Sequence, residues 1–232
     1  MKLSIVVPVY NEENTIEEIL RRVDSAIIET VAEREIIVVD DFSTDGTRIK
    51  LEGLARSRKD LKVLYHDKNR GKGAALRTGF MALTGDLVVI QDADLEYDPS
   101  EYGKLLGPIV DGIADVVYGS RFLGSPQGSI YFWHYRANKL LTLLSNTMNN
   151  INLTDMETCY KVFKSEVLRE LTFRSNRFGF EPEFTAKITR RKHRIYEIPI
   201  SYYGRTYKEG KKIGWRDGIL AVFYIIWYRF FN

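Results

Sequence analysis

Five short runs rich in Val and Ile recur through the first 120 residues: KLSIVVPVY (2–10), REIIVVDD (34–41), LKVLYH (61–66), DLVVIQD (86–92) and ADVVYGS (114–120). Most are continuously apolar rather than alternating, the mark of strands covered on both faces. Helical patterns fill the gaps. Ile16, Ile19, Leu20, Val23 and Ile27 recur at helical spacing after Asn14, which with Glu17 reads as a capping box. STDGT (43–47) opens a second helix, a third follows NRGKG (69–73) over about Ala74–Leu83, and Pro99 starts a fourth. Strand and helix in strict alternation predict an α/β fold, a mostly parallel sheet with helices on both faces.

After about Leu123 the rhythm changes. Tyr131–Asn150 is helical in pattern, CYKVFKSEVL (159–168) reads as a strand or strand-turn, and RIYEIPISY (194–202) as a further strand. GILAVFYIIWYRFF (218–231) is strongly apolar. No internal repeat or low-complexity linker divides the 232 residues, so one large domain, or one domain with a small appendage, is expected. The lone Cys159 excludes an internal disulfide framework and fits a reducing compartment. The N-terminal apolar run is short and broken by Pro8, unlike a signal peptide.

In open α/β sheets, ligands bind beyond the carboxyl ends of the strands. Polar clusters fall at three such ends: Tyr10-Asn11-Glu12, Asp40-Asp41 and Asp92-Ala93-Asp94. The last continues into Glu96 and Asp98, a crowd of like charges directly after Val88-Val89-Ile90. An EF-hand would need Gly where Tyr97 stands and a bidentate Glu where Gly103 stands, so that reading fails. On an extended segment Asp92 and Asp94 point to one side, where both reach a single hard divalent cation that relieves their repulsion. An Asp-X-Asp site for a metal bridging a nucleotide diphosphate is the reading that remains. Arg70-Gly71-Lys72-Gly73 sets two cations and two small residues before a helix, which suits diphosphate contact. It is not a Walker A loop, because Ala74 follows Gly73.

IVVPVYNEE, IIVVDDFSTDGT, NRGKGAALRTGF and VIQDADLEYDP resemble, in order and spacing, the family 2 glycosyltransferases. The likeness is strongest to the dolichyl-phosphate mannose synthase and polyprenyl-phosphate glycosyltransferase group. YGSRF, NLTDMETCYKVFKSEVL, FGFEPEFTAKI and EIPISYYGRTYKEGKKIGWRDG extend it over nearly the whole chain. The resemblance implies a GT-A fold, with a nucleotide-sugar half (1–123), an acceptor half (124–212) and a membrane-interface helix (213–232). It implies that Pro8, Tyr10, Asn11, Glu12, Asp40 and Asp41 line the base and ribose pocket. Lys72, Arg205 and Lys211 would grip the donor diphosphate. Asp92, Asp94 and Glu96 would hold Mg2+ or Mn2+. Arg121 would take an acceptor phosphate, with Arg136 and Asn138 as partners on the following helix and Asp155 as an acidic residue beside them. Many relatives acting on sugar hydroxyls carry a Glu-Asp base; FGFEPEF supplies Glu181 and Glu183 but no such dyad. A phosphate acceptor is already anionic and needs little deprotonation, which favours a polyprenyl phosphate, although Glu181 is also placed to serve as a base.

The expected reaction is therefore inverting, metal-dependent transfer of a hexose from a nucleotide diphosphate sugar to a polyprenyl phosphate. The rivals are a carbohydrate hydroxyl acceptor and a catalytically silent sugar-nucleotide binding module. Between Ala186 and Arg216, ten Lys and Arg stand against two acids in a chain whose whole net charge is +3. That stretch lacks any nucleic-acid motif, and no nucleic acid is expected as partner. With Trp215, Trp227 and Tyr228 around Ile219–Tyr228, it points instead to a helix lying on the cytoplasmic face of a membrane, as in a peripheral or monotopic protein. The apolar run is too short to span a bilayer alone. A core helix or the interface of a homo-oligomer is the alternative for this segment.

Overall fold

The computed structural model describes residues 1–124, 132–205 and 215–231, without the side chains of 215–217. Strands β1 (Lys2–Val9), β2 (Glu33–Asp40), β3 (Leu61–Tyr65), β4 (Leu87–Ile90), β5 (Val116–Ser120), β6 (Lys161–Lys164) and β7 (Ile195–Pro199) form one sheet, in the order β3-β2-β1-β4-β6-β5-β7. The first four are mutually parallel, and β7 runs parallel to β5. Only β6 is antiparallel to both its neighbours. The helices are α1 (Ile16–Ser25), α2 (Thr47–Ser57), α3 (Lys72–Ala82), α4 (Tyr102–Val110), α5 (Phe132–Asn149), α6 (Glu166–Arg169), α7 (Phe180–Arg190) and α8 (Trp215–Phe230).

The β-branched runs form the floor of the core. Ile5, Val6, Val7, Ile36, Ile37, Val38 and Val88 are fully buried. Ile16, Ile19, Leu20 and Val23 bury the apolar stripe of α1 against this layer. Aromatic rings fill the second half, with Phe80, Phe163, Phe173, Phe180 and Phe184 packed edge-on and tilted against one another.

Two local expectations are corrected. The cap of α1 is Thr15, not Asn14, and no side chain caps the helix amides; Thr15 Oγ1 instead donates to Glu12 Oε2 at 2.8 Å. Helix α3 begins at Lys72, two residues earlier than its apolar pattern, because Gly71 turns the chain at φ 93°. A side chain at Gly71 would strike the carbonyl oxygen of Asn176, so only glycine lets this loop lie against that segment.

Candidate active site

The carboxyl ends of β1, β2 and β4 lie side by side, and the segments leaving them meet the start of α3 and the segment after β7. At the end of β1, Asn11 adopts φ 51° and accepts from the Thr44 amide at 2.8 Å. The Glu12 amide donates to Thr47 Oγ1 at 2.9 Å, which ties the β1 turn to α2. Pro8 is half-buried and Tyr10 exposed.

Asp40 and Asp41 are both buried, and their carboxylates are engaged within the chain. Asp40 accepts from Arg48 Nε at 2.6 Å, and the Arg48 guanidinium lies over the rings of Phe42 and Tyr65. Asp41 accepts from the amides of Arg70 at 2.8 Å and Gly71 at 2.6 Å, and pairs with His66 Nδ1 at 2.6 Å. Asp41 thus fixes the glycine loop that launches α3. Sequence reading missed this role and that of His66, because nothing local marks a contact across 25 residues.

Lys72 leaves that loop toward β4. Its Nζ lies 2.9 Å from Asp92 Oδ1 and 3.4 Å from Glu181 Oε1 on the first turn of α7. Burial opposes the charge on Lys72, but Asp92, Cys159 and Glu181 outweigh it and hold the ammonium firmly protonated. Burial likewise opposes ionisation of Asp92, and Lys72 reverses the balance, leaving its carboxyl below the usual range.

Asp94 has no such neighbour to itself. Burial, then the charges of Asp92 and Glu96, push its carboxyl up to about 8. The cation nearest to it is Arg205. Arg205 Nη2 donates to Asp94 Oδ2 at 2.9 Å and to Glu12 Oε1 at 3.2 Å, while Nη1 reaches Glu12 Oε2 at 3.1 Å. The Arg205 amide donates to Glu96 Oε1 at 2.8 Å, and Tyr202 Oη donates to Glu96 Oε2 at 2.9 Å. Three carboxylates from two strand ends therefore converge on one guanidinium. Glu12 and Glu96 as partners of Arg205 were not legible in the sequence.

These oxygens suit a hard divalent ion in chemistry and charge. They are not preassembled around one: among the described residues no three His, Cys, Asp or Glu side chains stand close enough to hold an ion. The Arg205 guanidinium occupies the space between the carboxylates.

Across the sheet, at the carboxyl end of β5, Arg121 is gripped by Asp155. Its Nε donates to Oδ2 at 2.7 Å and its Nη2 to Oδ1 at 2.8 Å, and its amide adds a bond to Oδ2 at 3.0 Å. Asp155 is fully buried. The guanidinium lies 5.2 Å from the Tyr202 ring centroid and 5.4 Å from that of Phe122, and Nη1 makes no hydrogen bond among the described residues. Among the described residues neither Arg136 nor Asn138 hydrogen-bonds to it; the α5 side chains that reach its neighbourhood are Tyr135 and Lys139, both packed on the Phe122 ring. Arg136 is exposed on α5 with its guanidinium 5.6 Å from the Phe132 ring centroid, and Asn138 donates to the His134 carbonyl. Lys211 lies outside the described residues.

Helix α8 packs against α5 and α7 through buried Ala221, Ile225 and Tyr228. Arg190 of α7 donates to the carbonyls of Tyr228 and Arg229 at its end. Its other face leaves Ile219, Phe223, Trp227 and Phe230 exposed, Phe230 at 64%. Phe132, Trp133, Leu140 and Leu143 of α5 are also exposed. Among the described residues no helix is long and apolar enough to cross a membrane.

Comparison with known proteins places these features. The model of a family described as Glycosyl transferase family 2 matches residues 4–172. The chain is 30% identical over 220 residues to a dolichol-phosphate mannosyltransferase of Pyrococcus furiosus, covering 92% of this chain and 60% of that protein. It is 30% identical over 224 residues to an undecaprenyl-phosphate mannosyltransferase of Micrococcus luteus, covering 92% of this chain and 88% of that protein. The chain thus spans less than two thirds of the Pyrococcus relative and most of the Micrococcus one. Among solved structures, glucosyl-3-phosphoglycerate synthase from Mycobacterium tuberculosis, in complex with Mn2+, uridine diphosphate and phosphoglyceric acid, superposes with a TM-score of 0.74 at 22% identity. That match covers 98% of this chain and 78% of the synthase, and it supports the GT-A fold.

Proposed function

This chain belongs to glycosyl transferase family 2, and from that premise we propose that it transfers a hexose from a nucleotide diphosphate sugar to a polyprenyl phosphate, with inversion. The observation that carries the reading is the convergence of Asp94, Glu96 and Glu12 on Arg205 beside the Lys72–Asp92 pair. Such a site has more carboxylate charge than the chain itself neutralises, and it stands where open α/β sheets bind ligands. The acceptor class is supported by the names of the two relatives, both transferases to polyprenyl phosphates.

In this mechanism a phosphate oxygen of the acceptor attacks the anomeric carbon opposite the leaving nucleotide. The new C–O bond forms as the bond to the diphosphate breaks, and the electron pair departs with the nucleotide. Lys72 and Arg205, with Lys211 from the same segment, counter the charge that builds there. Asp92, Asp94 and Glu96 would hold Mg2+ or Mn2+, which when bound neutralises the diphosphate. For that, Arg205 must give up its bond to Asp94 and turn to the diphosphate. Asp155 holds Arg121 in a fixed orientation, and Nη1 is the nitrogen left to meet the acceptor phosphate. Pro8, Tyr10, Asn11 and Glu12 with Asp40 and Asp41 shape the base and ribose pocket. In the last two, internal partners make the role one of framing loops rather than offering free carboxylates.

Residues 1–123 then serve the donor, 124–212 the acceptor, and 213–232 the membrane surface. The exposed aromatic face of α8 suits the headgroup level of a bilayer, and the basic stretch before it suits anionic lipid on the cytoplasmic side. Flotation with liposomes checks this: binding should rise with anionic lipid and fall on deletion of 213–232, and a full chain that stays soluble at low salt contradicts it. The reaction is tested with a donor panel, UDP-glucose and GDP-mannose among them, and short polyprenyl phosphates. Nucleotide release should require both the lipid phosphate and Mg2+ or Mn2+; release that ignores the lipid phosphate would refute the acceptor.

A further inference from the structure

Lys72 owes its place to a segment a hundred residues further along the chain. The Asn176 carbonyl accepts from the Ala74 amide at 3.1 Å. The Arg77 guanidinium donates to the Ser175 carbonyl and to the Asn176 side chain. A side chain at Gly71 would strike the Asn176 carbonyl and one at Gly73 that of Ser175, so the two backbones lie in direct contact. The loop that carries Lys72 therefore rests on residues 175–176 as on a wall.

That wall is itself held from behind. Glu183 of α7 accepts from the amides of Arg174 and Ser175, each at 2.7 Å. Lys187, one turn on, donates to Glu183 Oε1 at 2.6 Å and to the Thr172 carbonyl. Glu183 is fully buried and Lys187 nearly so. A buried ion pair keeps one geometry only while all its partners stay in place, since each charge has given up its water.

The cover over this pair is α8. Tyr228 is buried, with Lys187 Nζ 5.8 Å from its ring centroid. Burial, then the charge of Glu183, push the Tyr228 phenol up to about 12. One turn earlier Tyr224 closes on Gly179, where a side chain would strike both the Tyr224 ring and Ser175 Oγ. The two tyrosine rings stack on each other at 5.9 Å.

We infer that Tyr224 and Tyr228 are positioning residues for the donor: α8 presses residues 174–176 onto Gly71-Lys72-Gly73, so the grip of Lys72 on a diphosphate depends on α8 being seated. This rests on the proposed diphosphate role of Lys72. Glu183 then braces a loop and takes no part in the reaction. The helix that turns Phe223, Trp227 and Phe230 outward builds part of the donor site with its other side.

The test is calorimetry on the full chain with Mn2+, following UDP and GDP. It compares wild type with Tyr228→Phe, Tyr228→Ala, Lys72→Ala and the double variant Lys72→Ala/Tyr228→Ala. Wild type should bind at least one of the two nucleotides. Tyr228→Ala should weaken that binding about tenfold, because displaced contacts lose affinity steeply, and Tyr228→Phe, which keeps the ring, should cost less. In the Lys72→Ala background Tyr228→Ala should add little, since the contact it orients is gone; a merely structural role would add its full loss in both backgrounds. If Tyr228→Ala does not melt cooperatively, Tyr228→Phe takes its place in the same cycle. A Tyr228 variant that binds as wild type does, or whose loss persists without Lys72, overturns the inference and leaves the role of Lys72 standing. A wild type that binds neither nucleotide, or Lys72→Ala binding as wild type does, overturns the reading of Lys72 and the inference together.

Discussion

Asp115 and Asp94 are two aspartates of one sheet with opposite surroundings. Asp115, just before β5, accepts from Arg194 Nε at 3.0 Å, Arg194 Nη2 at 2.8 Å and Lys164 Nζ at 3.0 Å. Hydrogen bonds from Arg194 outweigh burial and hold its carboxyl far below the usual carboxylate range. Asp94, just after β4, shares one guanidinium with Glu12 and Glu96, and its carboxyl is pushed up to about 8. The first charge is completed inside the chain and ties β5, β6 and the entry to β7. The second is left incomplete, at the edge where a ligand can complete it. Charge balance, which sequence spacing alone does not give, sets these two carboxylates apart.

Substitutions sharpen that contrast. Asp94→Ala should lower turnover on the order of a hundredfold, because charge stabilisation of a leaving diphosphate is worth several kcal/mol. The melting temperature should hold or rise, since burial and the neighbouring charges already disfavour this carboxyl. Near-normal turnover with an unchanged metal requirement would erase the distinction. Arg121→Ala should cost about 3–5 kcal/mol in chemical denaturation, because it strands the buried Asp155 carboxylate. A loss below about 1 kcal/mol would mean that Arg121 serves the acceptor without bracing the fold. Asp115→Asn should cost about 1 kcal/mol at neutral pH, its partners being partly solvated. The native pKa of Asp115 lies below its unfolded value of about 3.9, so its contribution is complete above that pH. It is lost as pH falls through the native pKa. Denaturation from pH 7 to 2 should show wild type and variant converging only in acid; a constant gap would contradict this.

Much of the fold was legible because continuous apolar runs bury only as parallel strands between helices, and β1 to β5 lie where those runs stand. The antiparallel direction of β6 was not, since four residues of sequence carry no sign of which way the chain returns. The Asn14 cap failed because composition offered a plausible Asn while Glu12 and Thr15 met each other instead. Residue type and spacing marked Asp92, Asp94 and Lys72 at strand and helix ends, and the structure brings Lys72 to Asp92. Arg205 was expected at a diphosphate, and its grip on Glu12 and Asp94 joins residues more than a hundred positions apart. Periodicity marks α5 as a helix but not that Tyr135 and Lys139 are the residues it packs on the Phe122 ring.

Identification of the product decides which acceptor the chain uses. Purified full chain, Mn2+, a sugar nucleotide that it turns over and a short polyprenyl phosphate are incubated together, and the lipid fraction is analysed by mass spectrometry and NMR. The expected product is one hexose joined through its anomeric carbon to the lipid phosphate, with configuration opposite to that of the donor. A hexose on a carbohydrate hydroxyl, free hexose alone, or retention of configuration would contradict it.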